Sequence, residues 1–272
     1  MSDFYIGDLT PGTFVVNVSK EKEWGIGQVQ SCINNIVTIN FENVGKKTIN
    51  PKEVELKIIN INATIDQYLR KVNYLRVSVT DRCDLRCVYC MKEKMQFLPR
   101  KDILTLEEIE RLCDNFIELG VEKIRLTGGE PLVRNDIIKL IEKLNTKKEK
   151  TNLKEITLTT NGTLLKKHAK LLKLNGINRI NVSLDTINPE KYNKITRFGN
   201  IEKVFDGINE ALDANIKIKI NTVVIKDFNE YEIEELLNWT SNKKIDLTFI
   251  EVMPMEETDI SREYQFLSLI HI

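Results

Sequence analysis

Three cysteines lie within eight positions of this 272-residue chain, in the segment Asp81–Cys90 with the sequence DRCDLRCVYC. Cys83, Cys87 and Cys90 have the spacing Cys-x3-Cys-x2-Cys. Three thiolates can hold three irons of a [4Fe–4S] cluster and leave the fourth iron open. An open iron can bind the amino and carboxylate groups of S-adenosylmethionine, so these residues indicate an iron–sulfur centre for radical chemistry.

Structural zinc is the alternative reading of the same cysteines. A closed zinc site needs four ligands, usually arranged as two pairs. The other ligand types are scattered without a pairing partner, at Cys32, Cys113, His168 and His271. We interpret Cys113 and Cys32 as packing residues and His168 as a solvated side chain, which favours the cluster.

A second motif, Gly128-Gly129-Glu130-Pro131, follows a β-type run. A Gly-Gly turn alone is weak evidence, because many loops between a strand and a helix need the conformational freedom of glycine. Placed after a three-cysteine loop, the motif resembles the glycine segment with which radical enzymes receive the amino group of methionine.

From Tyr74 onward, β-type runs alternate with amphipathic segments, which predicts a parallel sheet with helices between its strands. The predicted strands are Leu75–Thr80, Lys123–Thr127, Glu155–Thr159, Arg179–Asp185, Ile216–Val224 and Asp246–Val252. The clearest predicted helices are Thr105–Leu119, Leu164–Leu174 and Ile201–Ala214. In the first helix Leu106, Ile109, Leu112, Cys113 and Phe116 share one face, Thr105 and Glu108 form a capping box, and Gly120 ends the helix.

Each predicted strand alternates between an apolar and a polar side. In a sheet covered on both faces the strands read as continuous apolar runs, and a closed eight-stranded barrel fills its interior with apolar side chains. Here the polar side of the strands carries Arg76, Arg125, Thr159, Ser183 and Lys219. We therefore predict an open, partial (β/α)6 barrel that holds a large polar ligand.

The first 60 residues read differently. Short β-type runs without helical periodicity, separated by turns at Asn34-Asn35 and Asn43–Lys47, predict a small β-barrel. The runs are Thr13–Val18, Gly27–Ile33, Ile36–Phe41 and Val54–Ile58. Around Trp24–Gly27 and Asn40–Lys47 the segment resembles the Tudor-like, SH3-like module at the end of UvrD-type helicases. We expect this module over residues 1–60, a linker over 61–71 and the partial barrel over 72–266.

The bulk properties exclude several classes of protein. Forty basic residues balance forty acidic ones, so no global field attracts nucleic acid or an anionic membrane. No segment reaches the roughly 20 apolar residues of a membrane span, and the first residues lack the pattern of a signal peptide. An odd count of five cysteines, three of them crowded together, argues against a disulfide framework and for a reducing compartment. We expect a cytoplasmic protein.

Six segments carry a family resemblance in order and spacing: LRVSVTDRC, RLTGGEPLVR, LTTNG, NVSLDT, KINTVV and FIEVMP. Over residues of about 72–266 the chain resembles the radical SAM GTP 3',8-cyclase family, also called the molybdenum cofactor biosynthesis protein A family. The resemblance implies conversion of GTP to (8S)-3',8-cyclo-7,8-dihydroguanosine 5'-triphosphate, the first step of molybdenum cofactor biosynthesis. It also implies a [4Fe–4S] cluster, S-adenosylmethionine as cofactor, and an electron donor such as flavodoxin or ferredoxin.

The resemblance also assigns individual residues. It implies that S-adenosylmethionine is contacted by Tyr89, Gly129, Ser183, Met253 and Asn161. It implies that GTP is held by Arg76, Arg125, Thr159 and Lys219. Five of these nine residues lie on the polar side of the predicted strands. Three of the five are cations, which suit a triphosphate. An internal salt-bridge network of the three cations with Asp185 or Glu251 is the alternative, and whether the protein forms a homodimer is left open.

The chain departs from the family pattern in three ways. Thr248 stands where the family usually has an arginine. The family carries a further cysteine trio that holds a second [4Fe–4S] cluster against the GTP base, whereas no cysteine follows Cys113 here. Leu267–Ile272 can be read back as CTG TCT CTT ATA CAC ATC, which resembles the transposon end used in sequencing libraries; a short terminal strand or helix turn is the alternative. We therefore expect residues 267–272 to be encoded by a sequencing adapter, and the second cluster to belong only to a longer natural protein.

Two other functions compete with the cyclase. The first is a radical SAM enzyme that acts on a peptide or another small molecule. The second is a nucleic-acid-associated regulator that works through the N-terminal module. The module has no basic stripe and no aromatic platform beyond Trp24 and Phe41, which disfavours the regulator.

Overall fold

The computed structural model describes residues 9–33, 36–58, 64–65, 71–253 and 266–268. The chain divides into two compact units, Met1–Val72 and Asn73–Ile272. The predicted linker, 61–71, includes part of a two-stranded antiparallel ladder in which Thr64 pairs with Val72 and Ile65 with Lys71. The domain limits from the sequence remain a prediction.

The N-terminal unit is a five-stranded antiparallel sheet in the order β4-β3-β2-β1-β5. Its strands are β1 (Phe14–Asn17), β2 (Ile26–Ile33), β3 (Ile36–Phe41), β4 (Gly45–Ile49) and β5 (Leu56–Ile58), with a short helix α1 (Glu21–Trp24) after β1. The small ladder adds β6 (Thr64–Ile65) and β7 (Lys71–Val72). The core of the five-stranded sheet is formed by Val15, Val37, Ile39 and Phe41, which have almost no exposed surface. The predicted small all-β module is confirmed, and Asn34-Asn35 lies outside the described residues.

The prediction that Asn43–Lys47 is entirely a turn was wrong. The chain reverses after Phe41, which pairs with Gly45, and β4 starts at that glycine. Gly45 has φ of +66°, a left-handed value that glycine adopts without strain. Lys46 and Lys47 are exposed on the edge strand, so no alternation of apolar and polar residues marks β4 in the sequence.

The second unit is a six-stranded parallel sheet in the sequential order β13-β12-β11-β10-β9-β8. Its strands are β8 (Tyr74–Ser78), β9 (Lys123–Thr127), β10 (Glu155–Thr160), β11 (Arg179–Ser183), β12 (Lys217–Val224) and β13 (Asp246–Glu251). Its helices are α2 (Leu106–Glu118), α3 (Ile137–Lys147), α4 (Leu165–Leu174), α5 (Pro189–Thr196), α6 (Ile201–Asp213) and α7 (Ile233–Asn242). In the described part β8 and β13 form the two edges, which confirms the open partial barrel.

In β9 and β12 burial follows the parity read from the sequence, whereas Thr157 of β10 and Asn181 of β11 are buried although they lie on the polar side. Ile124 and Leu126 of β9 are fully buried against the helices, while Arg125 between them is only half-buried. The same alternation holds in β12, where Ile218 and Ile220 are buried and Lys219 is not. Apolar burial on one side thus fixes the polar side chains on the other side of the sheet.

Local sequence signals fix where helix α2 begins and which of its residues are buried. The Thr105 hydroxyl accepts from the Glu108 N–H, and the Glu108 carboxylate accepts from the Thr105 N–H, so the predicted capping box is present. Ile109 and Cys113 are buried as expected, but Leu112 is 38% exposed and Ile117 takes its place in the core.

No helix of the described segments is long and apolar enough to cross a membrane.

Candidate cofactor and substrate site

The cysteine loop leaves the sheet after β8 and folds on itself. The N–H groups of Cys90 and Met91 donate to the Cys87 carbonyl at 2.9 and 3.1 Å, which forms a tight turn between the second and third cysteines. Leu85 is buried and anchors the start of the loop. All three thiols of Cys83, Cys87 and Cys90 are free and half-buried.

Burial makes these thiols weak acids in the free chain. It raises the pKa of Cys83 to about 11, and it raises the pKa values of Cys87 and Cys90, with a further increase from the nearby Asp185 carboxylate. Thiolates here therefore need a strong local positive charge, which bound iron supplies. Within the described ranges no three His, Cys, Asp or Glu side chains converge on one ion.

The glycine motif lies directly against the start of the cysteine loop. The Gly129 N–H donates to the Thr80 carbonyl at 2.7 Å, and the Glu130 N–H donates to the Arg82 carbonyl at 2.8 Å. A Cβ on Gly129 would lie 2.2 Å from the Arg82 oxygen, so no other residue fits there. This close approach packs the glycine motif against the residue that precedes Cys83.

Glu130 is a functional candidate that the sequence reasoning missed. Its buried carboxylate accepts from the Leu132 N–H (3.0 Å), the Thr160 hydroxyl (2.8 Å) and the Asn161 N–H (2.7 Å). Burial raises its pKa to about 7, although these three bonds oppose the shift. Glu130 thereby joins the glycine loop to the end of β10. The only sequence signal was its place between glycine and proline after a strand.

Asn161 reaches the cysteine loop from the end of β10. Its Nδ2 donates to Asp84 Oδ1 at 2.7 Å and lies 3.8 Å from Cys83 Sγ. The Thr163 hydroxyl donates to Asp84 Oδ2 at 2.6 Å. Asp84, which the sequence reasoning also missed, therefore links the first cysteine to the loop after β10.

Tyr89 connects the cysteine loop to the end of β11. Its hydroxyl donates to Asp185 Oδ2 at 2.7 Å, and the Val223 N–H donates to Asp185 Oδ1 at 2.8 Å. Burial raises the pKa of Asp185 to about 6 and that of Tyr89 well above its ordinary value. These two donors occupy the Asp185 carboxylate, which the salt-bridge alternative had assigned to the barrel cations.

Two arginines stand side by side on the polar face. Arg76 of β8 is in register with Arg125 of β9, and both guanidinium groups lie over the Tyr74 ring, with Cζ atoms 5.7 and 5.4 Å from its centre. Arg125 Nε donates to the Thr157 hydroxyl at 3.3 Å. Burial lowers the pKa of Arg125, and the charge of Arg76 lowers it further. Adjacent cations of this kind attract an anion.

The remaining predicted site residues spread over the same sheet. In the register, Thr159 is opposite Asn181, Asn181 is opposite Lys219, and Lys219 is opposite Asp246. Ser183 and Thr248 are both opposite Asn221. The structure therefore brings Thr159, Ser183 and Lys219 to one polar surface.

The sequence also predicts a cofactor contact for Met253, a packing role for Cys113 and a solvated side chain for His168. Met253 lies beyond β13 and is 65% exposed. Cys113 is fully buried and burial raises its pKa to about 12, as expected of a packing residue. His168 is half-buried on α4 rather than solvated, and burial lowers its pKa.

A cavity of about 570 Å³ lies between the start of α2, the start of α3 and the cysteine loop. Its lining carries five cations and two carboxylates: Arg82, Arg100, Arg134, Lys139 and Lys143, with Glu107 and Asp136. Arg82 immediately precedes Cys83. The cavity is therefore basic at the edge of the cysteine loop.

Comparison with known proteins gives two family matches. Residues 77–240 match the model described as Radical SAM superfamily, and residues 9–59 match the model described as Protein of unknown function (DUF3553). The chain is 56% identical over 205 residues to a protein of Sinorhizobium medicae named GTP 3',8-cyclase, covering 75% of this chain and 59% of that protein. A Brucella ovis protein of the same name is 55% identical over 208 residues, with 76% and 60% covered. The chain thus spans about three fifths of the length of these relatives.

Solved structures show the same fold at low identity. The Streptococcus suis protein SuiB bound to S-adenosylmethionine has a TM-score of 0.60 and 22% identity, covering 70% of this chain and 43% of that one. The protein anSMEcpe with bound AdoMet has a TM-score of 0.57 and 22% identity, covering 71% of this chain and 55% of that one.

Proposed function

The chain belongs to the radical SAM superfamily, and we propose that it binds GTP and acts on it as part of a GTP 3',8-cyclase. The observation that carries the choice of substrate is the in-register pair Arg76 and Arg125 on the open polar face. A triphosphate is the kind of anion that such a pair binds with charge-assisted hydrogen bonds.

The iron–sulfur cofactor fits the cysteine loop. Cys83, Cys87 and Cys90 would hold a [4Fe–4S] cluster, with the fourth iron free for S-adenosylmethionine. With S-adenosylmethionine bound, such a cluster supplies reductive cleavage of the sulfonium and thus a deoxyadenosyl radical.

The protein's own residues bind and orient the two ligands. By the family resemblance, the backbone of Gly129 would receive the methionine amino group; the missing side chain lets the glycine motif pack directly against the Arg82 carbonyl. We assign Asn161, Ser183, Tyr89 and Met253 to the rest of S-adenosylmethionine. For Tyr89 the Asp185 bond sets the ring position, so a direct contact would use the ring face rather than the hydroxyl. S-adenosylmethionine would thereby be held by the loops at the ends of the strands.

On the polar face, Arg76, Arg125 and Lys219 would bind the triphosphate, and Thr159 would donate a further hydrogen bond. Asn181 between Thr159 and Lys219 is buried, and its Oδ1 lacks a hydrogen-bond partner within the described part of the chain. An acceptor so placed suits a donor group of a nucleotide. With Thr248 in place of the family arginine, three cations rather than four would face the phosphates.

The basic cavity and the free cysteines also favour a partner protein and a cellular location. An acidic one-electron donor protein such as flavodoxin or ferredoxin would suit the basic cavity beside Arg82. A cytoplasmic location suits five free cysteines, because a reducing compartment preserves them.

The substrate is tested with GTP that carries deuterium at the 3' carbon. Reconstituted, reduced protein should place deuterium in 5'-deoxyadenosine, as measured by mass spectrometry, because hydrogen abstraction precedes any ring closure. Unlabelled 5'-deoxyadenosine at saturating GTP would refute the cyclase assignment and favour a radical enzyme for a peptide or another small molecule.

The binding residues are tested by calorimetry. Lys219→Ala should weaken GTP binding by about 1.5–3 kcal/mol, the typical contribution of a hydrogen bond to a charged group. Lys217→Ala, in the same strand but exposed, is the matched control and should leave the affinity unchanged. Equal affinities in both variants would contradict the assignment of Lys219.

A further inference from the structure

The cysteine loop is paired to the end of helix α5 by its backbone. The Arg86 N–H donates to the Thr196 carbonyl at 3.1 Å, and the Val88 N–H donates to the Ile195 carbonyl at 2.9 Å. The last carbonyls of a helix lack partners within the helix, so they are available to another segment. The two bonds lie on either side of Cys87, the second of the three cysteines.

Arg197 follows the helix and holds the loop at two further points. Its Nη1 donates to the Arg86 carbonyl and to the Met91 carbonyl, both at 3.2 Å. Arg86 immediately precedes Cys87, and Met91 immediately follows Cys90. One guanidinium therefore joins the two ends of the segment that contains the second and third cysteines. Hydrogen bonds from a charged donor are stronger than those from a neutral donor.

The backbone at Arg197 is strained. Its φ is +65° and its ψ is −40°, close to the rare and strained form of the γ-turn. The neighbouring residues force this conformation: the Thr196 hydroxyl donates to the Tyr192 carbonyl at 2.6 Å and accepts from the Gly199 N–H at 3.0 Å. A Cβ on Gly199 would lie 2.3 Å from the Thr196 hydroxyl oxygen, so the turn is closely packed there and needs glycine. A non-glycine residue persists in such a conformation where the surrounding structure imposes it, and such sites cluster around functional centres.

We infer that Arg197 is a positioning residue for the iron–sulfur centre. Its guanidinium fixes the distance between the backbone at Cys87 and the backbone at Cys90, and so presents both thiols at the spacing that one cluster requires. This inference rests on the cluster assignment under the proposed function. It does not depend on GTP or on the identity of the substrate.

The test measures cluster retention rather than turnover. Wild-type chain, Arg197→Gln and Arg197→Lys are reconstituted anaerobically, and the loss of iron to the ferrous chelator bathophenanthroline is followed by absorbance. Arg197→Gln should lose iron roughly ten-fold faster, because two charge-assisted bonds to the loop are gone. Arg197→Lys should be intermediate, since a single ammonium lacks the planar fork of guanidinium. Lys194→Gln, exposed on the same helix, is the matched control and should retain iron like the wild type.

A second variant separates positioning from general stability. Arg197→Gly removes the guanidinium and also relieves the strained backbone, because glycine tolerates positive φ. The apo chain should then melt at a higher temperature than Arg197→Gln, because it loses the same hydrogen bonds but also the backbone strain, while iron is lost as fast as from Arg197→Gln. The electron paramagnetic resonance signal of the reduced cluster should broaden in both variants.

Wild-type iron loss and an unchanged signal in Arg197→Gln would overturn the inference. So would iron-loss rates that simply follow the melting temperatures of the variants. A wild-type chain that binds no iron would instead refute the cluster assignment itself, and the inference would fall with it. Failure to take deuterium from labelled GTP, with normal iron retention, would affect only the proposed substrate.

Discussion

Replacement of Glu130 tests whether the glycine motif is held by a buried carboxylate. Glu130→Ala leaves three donors without their acceptor: the N–H groups of Leu132 and Asn161 and the hydroxyl of Thr160. An unsatisfied buried donor costs about 1–3 kcal/mol, but the wild-type carboxylate already carries a penalty for its own burial. We therefore expect a net loss of about 3–5 kcal/mol in the free energy of unfolding, as when one partner of a buried charged network is removed.

The pH dependence has a definite sign. The pKa of Glu130 rises from its ordinary 4.5 to about 7 in the folded chain. Between these values the folded state holds a proton that the unfolded state has lost, so wild-type stability falls as pH rises. Relative to Glu130→Gln, which cannot ionise, the wild type should lose about 3 kcal/mol between pH 4.5 and 7, at 1.36 kcal/mol per pKa unit. Above pH 7 the difference should be constant.

The assay is denaturant unfolding of the apo chain followed by tryptophan fluorescence. The chain has two tryptophans, so a Trp24→Phe background leaves Trp239, which packs on Phe205, to report on the second unit alone. Glu142→Ala, an exposed carboxylate on α3, is the control and should change stability by no more than about 0.5 kcal/mol. A loss below about 1 kcal/mol in Glu130→Ala, or a wild-type stability that rises relative to Glu130→Gln between pH 4.5 and 7, would refute the reasoning.

Three further predictions concern the rest of the chain. Cys87→Ala should abolish cleavage of S-adenosylmethionine and reduce the bound iron; full cleavage by the variant, or a zinc spectrum in the wild type, would contradict the cluster. Deletion of residues 1–60 should leave the barrel folded by circular dichroism, because among the described residues its core cluster and the side chains packed on it begin at Leu75, and a molten product would show otherwise. Tyr89→Phe should lower the free energy of unfolding by about 1.5–3 kcal/mol at pH 8, where Asp185 is ionised, and a neutral effect in chemical denaturation would show that the Asp185 bond is weak.

The sequence alone predicted the features that depend on local periodicity. The two-residue repeat of the strands was enough to separate Arg76, Arg125 and Lys219 from the apolar side, because a pleated strand turns successive side chains to opposite faces. The capping box at Thr105 needs residues only three apart, so it too was readable. Strand β4 was not, since an exposed edge strand of lysines carries no alternation.

Tertiary structure alone decided how the loops at the strand ends are joined. Tyr89 and Asp185 are 96 positions apart, Asn161 and Asp84 are 77 apart, and Arg197 and Met91 are 106 apart. Such pairs have no spacing rule, because they depend on the strand register and on the path of two separate loops. The roles of Glu130 and Arg197 follow from these contacts. The types and spacing of the cysteines specified the chemistry, whereas the packing of distant loops specified the groups that hold those cysteines in place.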